Sequence, residues 1–252
     1  GYQDLREAIS NKFKRDNGID YSTEQIVVST GAKQSIANVV LSLINPGDEV
    51  IVPAPYWVSY AEIIKMAEGV PVFIDTSIKN DFKISPSELQ GAINDKTKMM
   101  IYSSPCNPSG SVYSKRELRS LADVLVNYPS ITVLSDEIYE HINFTGSYLS
   151  IGAFPDMYNQ VVTINGVSKS FAMTGWRLGY IGAPLHIAQA CTKIQGQFTS
   201  GTSSISQRAA IAAVSANPSE IHEMRDAFLS RRDFILEELN KIKGININQP
   251  QG

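Results

Sequence analysis

The sequence predicts an α/β fold, an α/β/α sandwich in which a mostly parallel seven-stranded sheet carries helices on both faces. Short apolar runs rich in Val and Ile alternate with longer segments of helical period, as in parallel strands joined by crossover helices. Capping-box signals at Ser85–Glu88 and Ser114–Glu117 begin two of these helices. The predicted strands are Gln25–Ser29, Glu49–Val52, Val70–Ile74, Lys98–Ser103, Ile131–Ser135, Val161–Asn165 and Leu178–Gly182.

After Gly182 the sequence contains only segments of helical period. No internal repeat, low-complexity tract or linker divides the chain, so residues 1–252 are expected to form one principal domain. Residues 218–252 are expected to begin a long helix that leads toward a small carboxy-terminal domain outside this sequence. The predicted helices are Pro184–Gln195, Ser203–Ala216 and Pro218–Lys243.

The composition argues against several classes of function. With 43% hydrophobic and 19% charged residues, the 252-residue chain resembles an ordinary soluble protein, and a cytoplasmic location is expected. A net charge of -3 without a basic cluster argues against a nucleic-acid partner, and no apolar run approaches the roughly 20 residues that cross a membrane. Cys106 and Cys191 share no CxxC spacing and the histidines are dispersed, so neither a disulfide framework nor a metal site is expected.

An anion site is predicted where Gly31, Ala32 and Lys33 open a helix directly after a strand. Glycine lets the backbone amides approach a ligand closely, and the amino end of a helix stabilises negative charge. Many strand–glycine–helix turns bind nothing, so this motif is weak by itself.

Two further strand ends carry polar side chains. A proline-rich loop presents Asn107, and Asp136 and Tyr139 stand three residues apart after an apolar strand. Ligands bind at the carboxyl ends of parallel strands, and a buried carboxylate needs a partner such as a pyridinium nitrogen. Taken singly, either segment is also explained as a turn or a local cap.

A single lysine, Lys169, stands among small, apolar and aromatic residues, with Arg177 eight positions later. Because lysine is rarely buried without a role, we expect Lys169 to be a buried amine that attacks a carbonyl group. Arg177 offers a bidentate donor for a phosphate. The alternative for this segment alone is a solvated surface lysine beside a turn.

Together these segments resemble the class I aminotransferases of pyridoxal phosphate (PLP) fold type I, over essentially the whole chain. Residues 168–180 read SKSFAMTGWRLGY, the signature of the cofactor lysine in that family. The resemblance implies PLP as cofactor and a homodimer. It also implies transfer of an amino group between an amino acid, aspartate in particular, and a 2-oxo acid such as 2-oxoglutarate.

By this resemblance, Lys169 holds the cofactor covalently and shuttles a proton, while Asp136 keeps the pyridine nitrogen protonated. Tyr139 and Asn107 hydrogen-bond the phenolic oxygen of the ring, and Trp57 packs against the ring face. The implied phosphate ligands are Gly31, Ala32, Lys33, Ser168 and Arg177. The implied substrate contacts are Lys33, Trp57 and Asn107.

Two positions refine the resemblance. The family often has a serine three residues before the cofactor lysine, whereas this chain has Gly166, so one phosphate contact is missing or supplied elsewhere. The Gly-Ala-Lys-Gln form of the phosphate turn resembles the bacterial aspartate and prephenate aminotransferase branch. In that branch the lysine reaches the distal carboxylate of the substrate, which makes Lys33 the candidate specificity residue.

The resemblance also implies parts outside this sequence: an opening segment that covers the site, and a small domain with the arginine that binds the substrate's α-carboxylate. We therefore expect this chain to bind PLP but to transaminate poorly or not at all. Two alternatives stay open: another fold type I reaction, such as β-elimination or the use of a different amino donor, and a PLP-binding regulatory domain without catalysis. A hydrolase is not supported, because GxSxG is absent and nothing pairs Cys106 with His141.

Overall fold

A single seven-stranded sheet forms the centre of the computed structural model, which describes residues 1–252. The strands are β1 (Ile26–Ser29), β2 (Glu49–Ala54), β3 (Val70–Asp75), β4 (Thr97–Ser103), β5 (Thr132–Asp136), β6 (Val161–Gly166) and β7 (Gly179–Gly182). Their spatial order is β1-β7-β6-β5-β4-β2-β3, and all pairs are parallel except those that β7 makes with β1 and β6. The predicted mostly parallel sheet is confirmed.

Helices cover both faces of this sheet. They are α1 (Gln3–Lys12), α2 (Ala32–Leu43), α3 (Ser59–Met66), α4 (Pro86–Ala92), α5 (Lys115–Leu125), α6 (Leu185–Phe198), α7 (Ser204–Ser215) and α8 (His222–Asn240). Both capping boxes are present, since Ser85 and Ser114 each accept a hydrogen bond from the third residue of the helix they begin. The predicted helix Pro218–Lys243 is shorter than expected, because Pro218–Ile221 forms a 3-10 turn and α8 ends at Asn240. None of the helices combines the length with the hydrophobicity that a bilayer crossing requires.

Alternate residues of β2 show how the sheet separates two cores. Val50 and Val52 lie in one apolar cluster with Ile36 of α2, whereas Ile51 lies in another with Leu118 of α5. Side chains alternate between the faces of a strand, so a continuous apolar run is buried on both sides. Each fully buried side chain of this kind stabilises the fold by roughly 1.5–3 kcal/mol.

Helix α1 was not predicted from the sequence. Leu5, Ile9 and Phe13 follow one another at four-residue spacing and are fully buried in a third cluster with Tyr180 and Val214. This spacing places them on one helical face. The helix therefore covers the antiparallel β1–β7 edge of the sheet, and its apolar spacing was a signal that could have identified it.

The parallel strands β4, β5 and β6 end side by side. Ser103 pairs with Asp136, and Asp136 pairs with Ile164 on the other side. The segments that follow these strands therefore begin at one edge of the sheet. This register brings residues that are distant in sequence into a single cavity.

Candidate active site

A cavity of about 270 Å³ lies at the carboxyl ends of these strands. Its walls include every predicted site residue except Gly31, which contacts Arg177 just outside. The predicted residues in the wall are Ala32, Lys33, Trp57, Asn107, Asp136, Tyr139, Ser168, Lys169 and Arg177. Ile36, Tyr60, Ser103, Ile138 and Thr174 complete the lining.

A buried carboxylate lines the cavity. Asp136 is the last residue of β5 and is 5% exposed. Its carboxylate accepts hydrogen bonds from the Tyr60 hydroxyl at 2.7 Å and from the Ile138 backbone N–H at 3.3 Å. Burial raises the pKa of Asp136 to about 6, although both hydrogen bonds and the positive charge of Lys169 act to lower it. The carboxylate is thus suited to a cationic partner in the cavity.

Tyr60 is a site residue that the sequence analysis missed. It lies on α3, is 1% exposed, and packs edge-on against Trp57 with ring centroids 5.5 Å apart. The three-residue spacing of Trp57 and Tyr60 places both on one side of the chain as α3 begins. That spacing was an available signal, but the hydrogen bond to Asp136 depends on packing across the sheet.

Lys169 lies beyond the end of β6, in the turn that leads to β7. Its ammonium group lies 5.6 Å from the centre of the Tyr139 ring, in the same cavity wall as Asp136 and Arg177. The expectation that this lysine is buried is wrong, because its side chain is exposed. Val167 is fully buried, but the chain then turns outward, so Lys169 extends from the turn into the open cavity.

A candidate anion site lies where α2 begins and Arg177 approaches it. Helix α2 begins at Ala32 without a side-chain cap, and the N–H groups of Ala32 and Lys33 have no acceptor within the chain. The Arg177 guanidinium lies against Gly31, where a Cβ atom would come within 2.5 Å of Nη2. Gly31 also has a φ of 86°, which side chains rarely tolerate. Free amides, a helix dipole and a guanidinium thus converge on one point.

The structure explains the glycine that departs from the family pattern. A Cβ atom at Gly166 would lie 2.9 Å from the Leu178 carbonyl oxygen and 3.0 Å from the Gly179 Cα atom. A serine at this position would require β7 to move. Any additional hydroxyl contact to an anion must therefore come from elsewhere, and Ser168 lines the cavity.

The remaining wall is aromatic and polar. Trp57 lies beside Lys33, whose ammonium group is 4.9 Å from the indole centroid. Asn107 belongs to the loop after β4, and it lines the cavity together with Tyr139. A flat ring that carries a phosphate and a basic nitrogen, as PLP does, fits these residue types.

A separate cluster of acidic groups lies behind the Asp136–Tyr139 turn. His141 Nε2 lies 3.3 Å from Asp16 Oδ2 and 3.4 Å from Glu140 Oε1. The fully buried ammonium group of Lys12 pairs with Glu140 and lies 3.8 Å from Asp16, so the chain itself supplies a cation. His141 is therefore engaged here, whereas the Cys106 thiol contacts the Pro55 carbonyl oxygen at 3.6 Å.

Comparisons with known proteins agree with this geometry. The family model described as aminotransferase class I and II matches residues 1–252. The aspartate/prephenate aminotransferase of Nitrosomonas europaea is 49% identical, and its match covers 100% of this chain and 64% of that protein. A bifunctional aspartate aminotransferase and glutamate/aspartate-prephenate aminotransferase of Petunia hybrida is 47% identical, with 100% and 53% covered.

Solved structures show the same arrangement of the chain. The aspartate aminotransferase of Rhizobium meliloti superposes with a TM-score of 0.98 at 40% identity, over 100% of this chain and 64% of that one. The enzyme of Thermus thermophilus with maleate gives 0.96 at 38% identity, over 100% and 66%. The chain spans 64% of the length of the Nitrosomonas europaea protein and 53% of the length of the Petunia hybrida protein.

Proposed function

The chain belongs to the class I and II aminotransferase family, and we propose that residues 1–252 are the cofactor-binding domain of a PLP-dependent aspartate aminotransferase. In this proposal, residues 218–252 lead out of that domain. The observation that carries the proposal is the single cavity in which Lys169 lies with the buried Asp136 carboxylate and the Arg177 anion site. The relatives' names support aspartate as the amino donor and a 2-oxo acid as the acceptor.

PLP, when bound, supplies an aldehyde and a ring that stabilises negative charge developing on the α-carbon of an amino acid. The N–H groups of Ala32 and Lys33 would hold its phosphate together with Gly31, Ser168 and Arg177. Trp57 would pack on the ring face. Tyr139 and Asn107 would donate hydrogen bonds to the phenolic oxygen and so keep the ring in one orientation.

Two groups of the chain would move or hold protons. The Lys169 amine would hold the cofactor covalently and, once released, carry a proton at its Nζ atom to and from the substrate. The Asp136 carboxylate would keep a proton on the ring nitrogen, because a buried anion strongly favours a cationic partner. Tyr60 would orient Asp136 through its 2.7 Å hydrogen bond.

Lys33 would select dicarboxylic substrates. Its side chain is exposed in the cavity wall, while its role in phosphate binding uses only its backbone N–H. The related Thermus thermophilus structure contains maleate, a dicarboxylate, which supports a site for a second carboxylate.

In the complete protein, we expect Lys33→Ala to lower kcat/KM for aspartate about tenfold while changing the value for alanine, which has no distal carboxylate, less than about threefold. The backbone amide remains in the variant, so cofactor affinity should be retained. Lys115→Ala is the matched control, because Lys115 is also an exposed lysine in the first turn of a helix. An equal loss for both amino donors would contradict this assignment.

A single-turnover assay tests the proposed function. The complete protein, of which residues 1–252 form the proposed cofactor-binding domain, is loaded with PLP, freed of excess cofactor and incubated with aspartate alone, and oxaloacetate is measured. One equivalent per loaded site is expected, followed by one equivalent of glutamate when 2-oxoglutarate is added. Release of chloride, pyruvate and ammonia from β-chloroalanine, which carries a β-leaving group, without amino transfer from aspartate, would favour the β-elimination alternative. PLP binding without any product from either compound would favour a regulatory domain.

The homodimer and the cytoplasmic location also stay proposals. The relatives are enzymes that act on amino and 2-oxo acids. Apolar side chains such as Phe198 and Ile205 are 71% and 74% exposed, and this exposed apolar surface suits the interface of a homodimer. Light scattering would measure the mass against the 27.6 kDa of one chain.

A further inference from the structure

A buried glutamine lies behind the anion site without touching the cavity. Gln195, near the end of α6, is 4% exposed. Its amide nitrogen donates to the Val28 carbonyl oxygen at 2.7 Å, and its amide oxygen accepts from Ser29 Oγ at 2.6 Å and from Asn38 Nδ2 at 2.9 Å. Burying an amide costs free energy unless it is hydrogen-bonded, and both the nitrogen and the oxygen of this amide have partners. The bonds join α6 to the last residues of β1 and to α2, on either side of the Thr30–Gly31 turn.

The carboxyl end of α6 is also linked to the Thr30–Gly31 turn through Gln34 of α2. Thr199, which follows the last residue of α6, accepts a hydrogen bond from Gln34 Nε2 at 2.7 Å. The amide oxygen of Gln34 in turn accepts from the Thr30 backbone N–H at 2.6 Å. Gln34 thus satisfies the Thr30 N–H within the chain, whereas the N–H groups of Ala32 and Lys33, at the start of α2, have no acceptor there.

A third link reaches the arginine. Arg177 has a φ of 51°, a left-handed conformation that is unfavourable for a residue with a side chain. Its carbonyl oxygen accepts from Thr202 Oγ1 at 3.0 Å, and the Thr202 carbonyl oxygen accepts from Gln207 Nε2 at 2.9 Å. Thr202 is buried in the connection between α6 and α7. The end of α6 thus restrains both the amide and the guanidinium sides of the anion site.

We infer that Gln195, Gln34 and Thr202 form a clamp that sets the affinity of the site for the phosphate group of the cofactor, although none of them touches the phosphate. The inference rests on the proposed function. The three residues are positioning residues: they hold the free amides and the guanidinium at the spacing a phosphate requires. Loosening the clamp should therefore weaken binding of a phosphorylated ligand more than binding of the same ligand without phosphate.

The test compares PLP with pyridoxal, which has the same aldehyde and ring but no phosphate. Dissociation constants are measured by absorbance titration for the wild-type chain, Gln195→Leu and Thr202→Val. PLP affinity is expected to fall about tenfold in Gln195→Leu and about threefold in Thr202→Val. These factors correspond to the net free energy of the hydrogen bonds that each variant loses. Pyridoxal affinity should change less than about twofold in both variants.

Gln160→Leu is the matched control. Gln160 is also a buried glutamine, 7% exposed, and it donates to the carbonyl oxygens of Leu125, Tyr128 and Ile131. It precedes β6, at the end of that strand opposite to the cavity. This variant should unfold at a lower urea concentration, yet keep the wild-type ratio of the two dissociation constants.

The outcomes separate the clamp from the proposed function. Variants that weaken both ligands equally, or neither, would overturn the clamp while leaving the function intact. If Gln195→Leu fails to fold, Thr202→Val tests the clamp instead. That exchange replaces one hydroxyl with a methyl group and preserves the side-chain volume, so the variant should fold. A wild-type chain that binds neither ligand covalently would overturn the proposed function and the clamp together.

Discussion

Replacing Lys169 with alanine is expected to abolish the visible absorption band that the chain acquires when it is mixed with PLP. The band reports a covalent bond between the aldehyde and an amine, and borohydride should make that bond permanent in the wild-type chain. Lys169 is the only lysine in the cavity whose side chain lies against Tyr139, beside Asp136 and Arg177. Mass spectrometry after reduction should therefore place one cofactor on Lys169 and none elsewhere.

Lys33→Ala is the control for that experiment, since Lys33 is the other lysine in the cavity wall. It should keep both the band and the reduced adduct. An adduct on Lys33 in Lys169→Ala, or a band of unchanged intensity, would contradict the assignment of Lys169.

The same substitution should stop amino transfer. Loss of a positioned acid–base group alone lowers a rate about 10²–10⁴-fold, and loss of the covalent attachment adds to this. We expect single-turnover oxaloacetate formation by Lys169→Ala to fall by at least about 10³-fold. Added methylamine should restore part of the rate, because a small amine fits the space left by the side chain and can carry the proton. Rescue would not occur if the variant had merely lost its structure.

The strands and the cavity residues were predictable for a local reason. Runs such as Val161–Asn165 are short and rich in Val and Ile, and parallel strands of this kind bring their carboxyl ends to one edge. Asp136 and Lys169 each follow such a run, so their positions favoured a common edge of the sheet, and the family resemblance supplied their roles. The capping boxes at Ser85 and Ser114 marked helix starts in the same local way.

Other features depend on contacts between distant parts of the chain. Tyr60 meets Asp136 only because α3 folds over the sheet, and Gln195 meets Ser29 across 166 positions. A single sequence carries no pattern for such pairs. The exposure of Lys169 was misjudged for a related reason: its apolar neighbours in sequence, such as Val167, point into the core while Lys169 itself points into the open cavity.

Asp136→Asn is expected to lower the single-turnover rate with aspartate by about 10²–10⁴-fold, with cofactor binding retained. Asparagine keeps the shape and can still bond to Tyr60, but it has no charge with which to hold a proton on the ring nitrogen. Breaking a buried ion pair by removing one partner costs about 3–5 kcal/mol, which corresponds to that range of rates. An N-methylated PLP analogue, whose nitrogen is permanently positive, should restore the variant. A rate within tenfold of wild type would refute the role of the carboxylate.

The same carboxylate should determine how the stability of the cofactor-free chain varies with pH. Because burial raises the pKa of Asp136 from 3.8 to about 6, the folded state binds more protons than the unfolded state in that interval. Stability therefore falls as pH rises through it, by at most about 3 kcal/mol for this group. Burial also raises the pKa of Glu137, to about 7, so this group lowers the stability over the same pH range. Asp136→Asn should therefore reduce the loss of stability with rising pH without removing it.

Binding of PLP should cancel the Asp136 part of this pH dependence, because the ring nitrogen gives the buried carboxylate a positive partner and so lowers its pKa. Urea unfolding at pH 4.5 and pH 7.5, with and without PLP, would measure the effect in the wild-type chain and in Asp136→Asn. If the free energy of unfolding varied with pH to the same extent in the two cofactor-free proteins, burial of the Asp136 carboxylate would not be destabilising the fold. A loss of stability at neutral pH that Asp136→Asn reduces and PLP removes would show that the buried Asp136 carboxylate favours a cationic partner in the cavity.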